Sequence, residues 1–149
     1  MGLFSGLLGK GADTALDVAT AVMIPMMTAM LADGSVDDDE VRQIRSICIW
    51  SPIYARNSME RDTAIIMKAM RLVEDLGAQT ACERSREFLT PALRETGFIS
   101  AVRLVFADSH VGAKEQKTIE NLVSWLGIDP ERGRMMVEAV SIMQHPATA

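Results

Sequence analysis

The sequence predicts an all-α domain of about seven helices. Apolar residues recur at helical spacing along most of the chain, and no stretch alternates with the period of two that indicates a β-strand. Aromatic residues make up 5% of the 149 residues, whereas there are 11 methionines, so the core relies on aliphatic and thioether side chains, which suit helices. The length fits one domain. We place it at residues 14–143, between an N-terminal tail of residues 1–13 and a C-terminal tail of residues 144–149.

Charge and hydropathy exclude several classes of partner. The 15 basic and 20 acidic residues give a net charge of −5, which argues against nucleic acid and against a basic membrane-binding patch. The longest uncharged run, residues 18–32, is shorter than the ~20 residues that cross a bilayer, so it predicts a buried core helix and no direct membrane span. No basic region precedes the apolar patch near the N-terminus. We therefore expect no cleaved signal and a cytoplasmic protein.

The first two helices flank Gly34. One covers residues 14–32, and Pro25 either bends it or begins a new helix. The next begins at Asp37, and Glu40 follows three residues later, which is the spacing of a capping box. The side chains predicted to face the core from this second helix are Val41, Ile44, Ile47 and Cys48.

The third helix covers residues 57–77 and ends at a glycine. A fourth, over residues 80–95, opens with Thr80 as its cap. Thr90 followed by Pro91 is typical of a helix start, which leaves a split of this fourth helix open. The core-facing residues predicted for the third helix are Ile66, Met70 and Val73.

Three further helices follow to the end of the domain. The fifth covers residues 98–108, and the sixth covers residues 113–126 and ends at Gly127. Asp129 and Pro130 are a cap and a first helical residue, and they open a seventh helix that continues to the end of the domain. The residues predicted to face the core here are Ile99, Val102, Val105, Phe106, Ile119, Leu122, Val123, Met136 and Val140.

The chain contains one unit twice. A shift of 75 residues places residues 24–47 on residues 99–122. Each copy is a helix that ends in Ala-Asp, a short loop with a valine, and a helix with a glutamate in its first turn. We call residues 32–40 the first junction and residues 107–115 the second junction. The shift pairs Asp33 with Asp108, Val36 with Val111, Glu40 with Glu115 and Ile44 with Ile119.

Acidic residues concentrate in the first junction. Residues 33–40 carry five carboxylates and no basic residue, which accounts for the whole net charge. If the two junctions pack around a pseudo-twofold axis, their carboxylates converge, and oxygen ligands of this kind bind hard cations such as Ca²⁺ and Mg²⁺. The spacing differs from that of an EF-hand. The candidate metal ligands are Asp33, Asp37, Glu40, Asp108 and Glu115.

The same residues have a second interpretation. Acidic side chains in the first turn of a helix bind the free N–H groups and complement the helix dipole, so Asp37 and Glu40 need no metal to be explained. Asp33 is harder to explain in this way, because a negative charge at the end of a helix opposes the dipole.

Two motifs together resemble the TerB tellurite-resistance family. They are the first junction (ADGSVDDDE), paired with a second acidic junction, and residues 125–131 (WLGIDPE). The resemblance covers residues 14–143. It implies about seven helices, an acidic metal-binding cluster and a bacterial cytoplasmic protein that associates with the inner membrane through other stress or tellurite-resistance proteins. TerB-like domains are also similar to the N-terminal region of DjlA-type co-chaperones.

The second junction departs from the family pattern. Gly112 stands at the position equivalent to Asp37, and Lys114 stands at the position equivalent to Asp39. His110 could supply a nitrogen ligand there, which would favour Zn²⁺. A degenerate second site is therefore one expectation.

The sequence favours a protein that is not an enzyme. It has no Gly-rich phosphate loop, no Gly-x-Ser-x-Gly and no His-Glu-x-x-His motif. Two functions remain open. One is a metal-responsive binding or scaffold module, and the other is a metal-independent, co-chaperone-like interaction module whose acidic junction binds a basic partner.

Overall fold

The computed structural model describes residues 15–32, 34, 37–107 and 111–147. Within these residues the chain forms seven α-helices and no strand, which confirms the predicted fold class. No helix in these ranges combines the length and the apolar character needed to cross a membrane. The helices are α1 (Val18–Leu31), α2 (Asp38–Trp50), α3 (Met59–Leu76), α4 (Ala78–Phe88), α5 (Pro91–Val105), α6 (Ala113–Leu126) and α7 (Pro130–Met143).

Helix α1 is the centre of the bundle. It packs most extensively against α5 and also contacts α3, α4 and α6. Every residue from 20 to 30 is buried, so the helix has no polar face. It continues through Pro25 without a break, because neighbouring helices surround it on all sides. The four methionines of α1 are all in the core, as predicted: Met23, Met26, Met27 and Met30.

The main crossing of α1 and α5 lies at Gly97. A Cβ atom at this position would lie 3.3 Å from the Pro25 Cγ atom and 3.5 Å from the Val22 carbonyl oxygen. Glycine in the middle of a helix costs about 1 kcal/mol relative to alanine. Its presence here permits the close approach of the two central helices.

We expect Gly97→Leu to lower the free energy of unfolding by about 1–3 kcal/mol or more, since backbone and ring atoms cannot yield to a larger side chain. Urea denaturation monitored by circular dichroism measures this. Ala92→Leu is the control, because Ala92 is an exposed residue of the same helix and its replacement should change stability by less than about 0.5 kcal/mol. Equal stability of the two variants would show that the crossing is not tight.

The N-terminus of α1 is capped by Asp17. Its Oδ1 atom accepts a hydrogen bond from the Thr20 backbone N–H at 2.8 Å, and its Oδ2 atom lies 3.6 Å from the Arg61 guanidinium. Partial burial alone would raise the pKa of Asp17. The hydrogen bonds from Thr20 and the charges of Lys68 and Arg61 outweigh that effect and lower the pKa below its usual value.

The Asp17 cap predicts a pH-dependent loss of stability. A carboxylate with a lowered pKa in the folded state stabilises the fold above its unfolded pKa, near 3.9, and this contribution is lost as the pH falls through the folded pKa. We expect Asp17→Ala to cost about 1 kcal/mol at pH 7, and the gap to wild type to narrow as the pH falls below about 4. Urea titrations across this range measure the gap. A gap that does not change with pH would contradict the assignment.

Two helix starts differ from the sequence-based prediction. Helix α4 begins at Ala78, directly after Gly77 at φ 85°, so Thr80 lies inside the helix and is not its cap. The question at residue 90 is settled in favour of a split, since α4 ends at Phe88 and the Thr90 Oγ1 atom accepts a hydrogen bond from the Leu93 N–H at 3.2 Å. Residues 91–95 therefore belong to α5, which absorbs the predicted fifth helix.

Burial also differs at several positions. Val41 is 42% exposed, although the rest of its predicted stripe is buried. In α3 the buried face is rotated by one residue, so that Ile66 and Met70 are only half-buried. The residues that α3 buries are Ile65, Ala69, Leu72 and Val73.

The two cysteines, Cys48 and Cys82, lie in the core as free thiols, and for Cys48 this agrees with the core-facing position predicted. Burial raises the pKa of each thiol to about 11, and this is assisted by Asp62 at Cys48 and partly offset at Cys82 by a hydrogen bond with Thr28. The thiolate is the reactive form. Burial and the raised pKa therefore lower the reactivity of both cysteines at neutral pH in the folded protein.

Candidate functional site

The two junctions meet at one end of the bundle. The C-terminal ends of α1 and α5 and the N-terminal ends of α2 and α6 surround a single cavity, which we call the junction cavity. Its polar lining comes from both repeats, and its floor is formed by small and apolar residues of α1 and α5. The lining residues are Ala29, Ala32, Asp37, Glu40, Leu104, Val105, Ala107, Lys114, Glu115 and Thr118.

The helix boundaries agree with the proposed repeat. Shifted by 75 residues, the bounds of α1 and α2 fall within two residues of those of α5 and α6. The first helices of the two copies, α1 and α5, form the most extensive contact in the bundle. A pseudo-twofold relation between the copies stays a prediction.

A complete capping box orders the described end of the first junction. The Asp37 Oδ1 atom accepts a hydrogen bond from the Glu40 N–H at 2.8 Å, and the Glu40 Oε1 atom accepts one from the Asp37 N–H at 3.2 Å. The capping box predicted from the spacing is thus confirmed. These two hydrogen bonds hold both carboxylates at the cavity.

The second junction makes half of the same box. The Glu115 Oε1 atom accepts a hydrogen bond from the Gly112 N–H at 3.0 Å. Gly112 has no side chain to return the bond, so α6 begins without a side-chain cap. Glu115 therefore occupies the position that corresponds to Glu40, although the residue equivalent to Asp37 is missing.

The other two acidic residues of the first turn of α2 have a different environment. Asp38 and Asp39 are exposed and do not line the cavity. Asp39 forms an ion pair with Arg42 on the surface of the helix. The acidic run therefore divides into residues at the cavity and residues in solvent.

Size and charge limit what the junction cavity can hold. Its volume is about 50 Å³, far below the ~300–1,000 Å³ of pockets for small organic molecules. A carboxylate offers about four lone-pair sites, so a capping hydrogen bond leaves acceptor capacity on Asp37 and Glu115. The cavity has the dimensions of a site for an ion or for the tip of one side chain.

The structure brings together three of the five predicted ligands. Asp37, Glu40 and Glu115 line the junction cavity, whereas Asp33 and Asp108 lie outside the described residues, as does His110. Among the residues that are described, no three His, Cys, Asp or Glu side chains are grouped closely enough to hold a metal ion. An ion here would need at least one ligand from the remaining residues of the junctions.

Sequence reasoning did not select Thr118 as part of the site. It follows Glu115 by three residues, which places both on one face of α6, and its hydroxyl donates a hydrogen bond to the Lys114 carbonyl at 3.2 Å. The spacing of three residues from Glu115 was the signal in the sequence that could have identified Thr118 as part of the site. Lys114, which appeared only as a departure from the family pattern, lines the cavity as its one basic residue among those described.

Comparison of the chain with protein-family models, with curated proteins and with solved structures finds no match. The resemblance to the TerB family stays a prediction from the motifs at residues 32–40 and 125–131.

Proposed function

We propose that the protein is a non-catalytic binding module that holds a divalent cation between its two junctions and presents the loaded state to protein partners. One observation carries the proposal: carboxylates from residues 75 positions apart, Glu40 and Glu115, line the same small cavity. Asp37 adds a third carboxylate.

The chemistry of the lining favours a hard cation. Ca²⁺ and Mg²⁺ prefer carboxylate, carbonyl and water oxygens, and Asp37, Glu40 and Glu115 offer only oxygen. Asp33 and Asp108, at the ends of the two preceding helices, would complete the ligand set in this proposal. If His110 takes part as well, its nitrogen would favour Zn²⁺.

A bound ion would act by linking the two repeats. Asp37 and Glu40 begin α2, whereas Glu115 begins α6, so a shared ion ties one helix start to the other. Binding then stabilises one relative arrangement of the two helix pairs, which is the difference a partner can recognise.

The proposed setting follows from the family resemblance. It is a bacterial stress or tellurite-resistance system in the cytoplasm, with other proteins of that system as partners and with peripheral association at the inner membrane through them.

Calorimetric titration with Ca²⁺, Mg²⁺, Mn²⁺ and Zn²⁺ tests the proposal. Asp37→Asn preserves the cap, because asparagine caps helices as well as aspartate does, but it removes a charged ligand. We expect it to weaken ion binding by about ten-fold or more, which is the loss of affinity typical when a residue next to the ligands of a bound metal is replaced. Micromolar binding that is unchanged by this substitution would contradict the assignment of Asp37.

Asp129→Asn is the matched control for this titration. Asp129 caps α7 in the same way, with its Oδ2 atom 3.1 Å from the Arg132 backbone N, but it does not line the junction cavity. The control should bind the ion as wild type does. An equal loss in both variants would indicate a general effect on charge or stability and would reject a local site.

Lys114 supports a second candidate function, because its positive charge at the cavity opposes the binding of a cation there. This residue brings a positive charge to the cavity, and capping already explains Asp37, Glu40 and Glu115. On this alternative the protein is a metal-independent interaction module, and the acidic first junction binds a basic segment of a partner. Salt-sensitive binding of a Lys/Arg-rich peptide, lost in Asp38→Asn/Asp39→Asn and unaffected by chelators, would favour it over the cation site.

A further inference from the structure

Large apolar side chains are exposed where α2 ends and α3 begins. Trp50 is 79% exposed and its neighbour Ile49 is 66% exposed on the last turn of α2, and Met59 is 70% exposed at the start of α3. We call residues 49–59 the α2–α3 corner. Exposed apolar patches, unlike single exposed side chains, mark surfaces that contact a protein or a membrane.

The α2–α3 corner is ordered and attached to the bundle. The Ser51 carbonyl accepts hydrogen bonds from the Tyr54 N–H at 3.0 Å and from the Ala55 N–H at 2.9 Å. The Tyr54 side chain is buried, and its hydroxyl donates a hydrogen bond to the Ala19 carbonyl of α1 at 2.7 Å. Because these bonds tie the turn to the central helix, Trp50 is exposed on a fixed helix end.

The corner is positively charged, although the net charge of the chain is negative. Residues 41–59 contain three arginines and no acidic residue, whereas residues 33–40 carry five carboxylates. One of the three, Arg42, pairs with an aspartate of its own helix. The other two, Arg45 and Arg56, are exposed and form no ion pair with any residue that the structure describes. These two cations are available to an external anion.

The basic residues flank the apolar ones. Arg45 precedes Ile49 by four residues on α2, which makes the two side chains neighbours on the helix surface, and Arg56 lies in the turn that follows the helix. The acidic start of α2 is remote, since Asp38 and Trp50 are about 18 Å apart along the helix axis. Charges in solvent are screened beyond about 8 Å at physiological ionic strength. The first junction therefore leaves the corner positive.

This combination fits an anionic membrane surface better than it fits a protein. A stable protein interface buries about 800 Å² on each partner, whereas the corner offers the apolar side chains of one helix end. Membrane binding has no such minimum, because its strength follows the apolar area that enters the interface and the attraction of basic residues to anionic lipids. Tryptophan is also the residue that prefers the headgroup level of a bilayer.

We propose that the α2–α3 corner is a peripheral membrane-binding site for anionic lipid. Ile49 and Trp50 insert at the headgroup level of the bilayer, and Arg45 and Arg56 contact the lipid phosphates. This contact is direct, requires no protein partner and is independent of the cation site.

Tryptophan fluorescence of the full chain tests the insertion. The chain has two tryptophans, so Trp125→Phe leaves Trp50 as the reporter. We expect its emission to move to shorter wavelength with vesicles of phosphatidylglycerol and phosphatidylcholine, and to stay unchanged with phosphatidylcholine alone. An unchanged spectrum with the anionic vesicles would overturn the proposal.

Co-sedimentation of the chain with the same vesicles, with both tryptophans retained in wild type, tests the residues involved. Trp50→Ala should weaken binding by about ten-fold or more, because a large apolar side chain no longer leaves water. Arg45→Gln/Arg56→Gln should weaken it by about five-fold for each arginine removed. All three residues are exposed, so the circular dichroism of these variants should match that of wild type.

Two matched controls change exposed residues elsewhere. Arg71→Gln/Arg134→Gln removes the same charge from α3 and α7, and Ile142→Ala truncates an apolar side chain that is 76% exposed on α7. Both should bind vesicles as wild type does. Equal losses in corner and control variants, or equal binding to neutral and anionic vesicles, would overturn the proposal. Self-association that is lost in Trp50→Ala, without vesicle binding, would overturn it as well and would assign the corner to a second copy.

Discussion

Replacing Met27 by alanine should lower the free energy of unfolding by about 2–5 kcal/mol. Met27 is fully buried at the centre of α1, where α3, α4 and α5 all contact the helix. Truncation removes most of the side chain, and surrounding helices that are themselves fixed by other contacts cannot close the resulting cavity. Urea denaturation followed by far-ultraviolet circular dichroism measures the loss.

Met135→Ala is the control for this measurement. Met135 lies on α7 with 52% of its surface exposed, so its truncation should change stability by less than about 0.5 kcal/mol. Similar losses in the two variants would show that α1 is not the buried centre of the fold.

Saturation with the correct divalent cation should raise the melting temperature by roughly 5–11 °C. A ligand that binds only the folded state at a hundred-fold excess over Kd stabilises it by about 2.7 kcal/mol, and each kcal/mol shifts the melting temperature of a chain this long by about 2–4 °C. Thermal denaturation with Ca²⁺, Mg²⁺, Mn²⁺ and Zn²⁺ in turn, each reversed by a chelator, measures the shift.

Glu40→Gln should reduce this shift and leave the ion-free melting temperature nearly unchanged. Glutamine at this position can still accept the hydrogen bond from the Asp37 N–H, so the capping box persists. Glu138→Gln on the exposed surface of α7 is the control and should keep the full shift. If no ion raises the wild-type melting temperature at millimolar concentration, the cation proposal fails.

Much of the fold could be predicted from local sequence signals. The uncharged run from residue 18 has no polar face, and the helix that it forms is correspondingly buried on all sides. Helix α6 matches its predicted bounds, because Gly127 at φ 67° ends it, and Asp129 caps α7 as its type and position predict. In each case one residue type satisfies a requirement of the backbone itself.

Other features depend on packing and could not be predicted in the same way. In α3, Ile65 and Ile66 are adjacent and equally apolar, so only the surrounding helices decide which faces the core. Ala69 is small and gave little signal, yet it is fully buried. The spacing between Thr80 and Glu83 is typical of a helix cap, but Gly77 adopts a conformation with positive φ, and α4 begins at Ala78, two residues before Thr80.

In the candidate site too, some features follow from local sequence and others depend on packing. The bonds between Asp37 and Glu40 follow from a spacing of three residues, and the sequence predicts them directly. That Glu115 lines the same cavity depends on tertiary packing, and only the internal repeat pointed to it. The position of Lys114 could not be predicted, because the direction of a long side chain at a helix start depends on the neighbouring α1 and α5.

The central claim is that the two junctions share one cation, and calorimetric titration of Glu115→Gln tests it most directly. The control is Glu131→Gln, which changes a first-turn glutamate of α7 that pairs with Arg134 on the surface. The account predicts one ion per chain in wild type and in the control, and an affinity that is weaker by about ten-fold or more in Glu115→Gln. Wild-type affinity in Glu115→Gln would show that the second junction takes no part, and the shared site would be wrong.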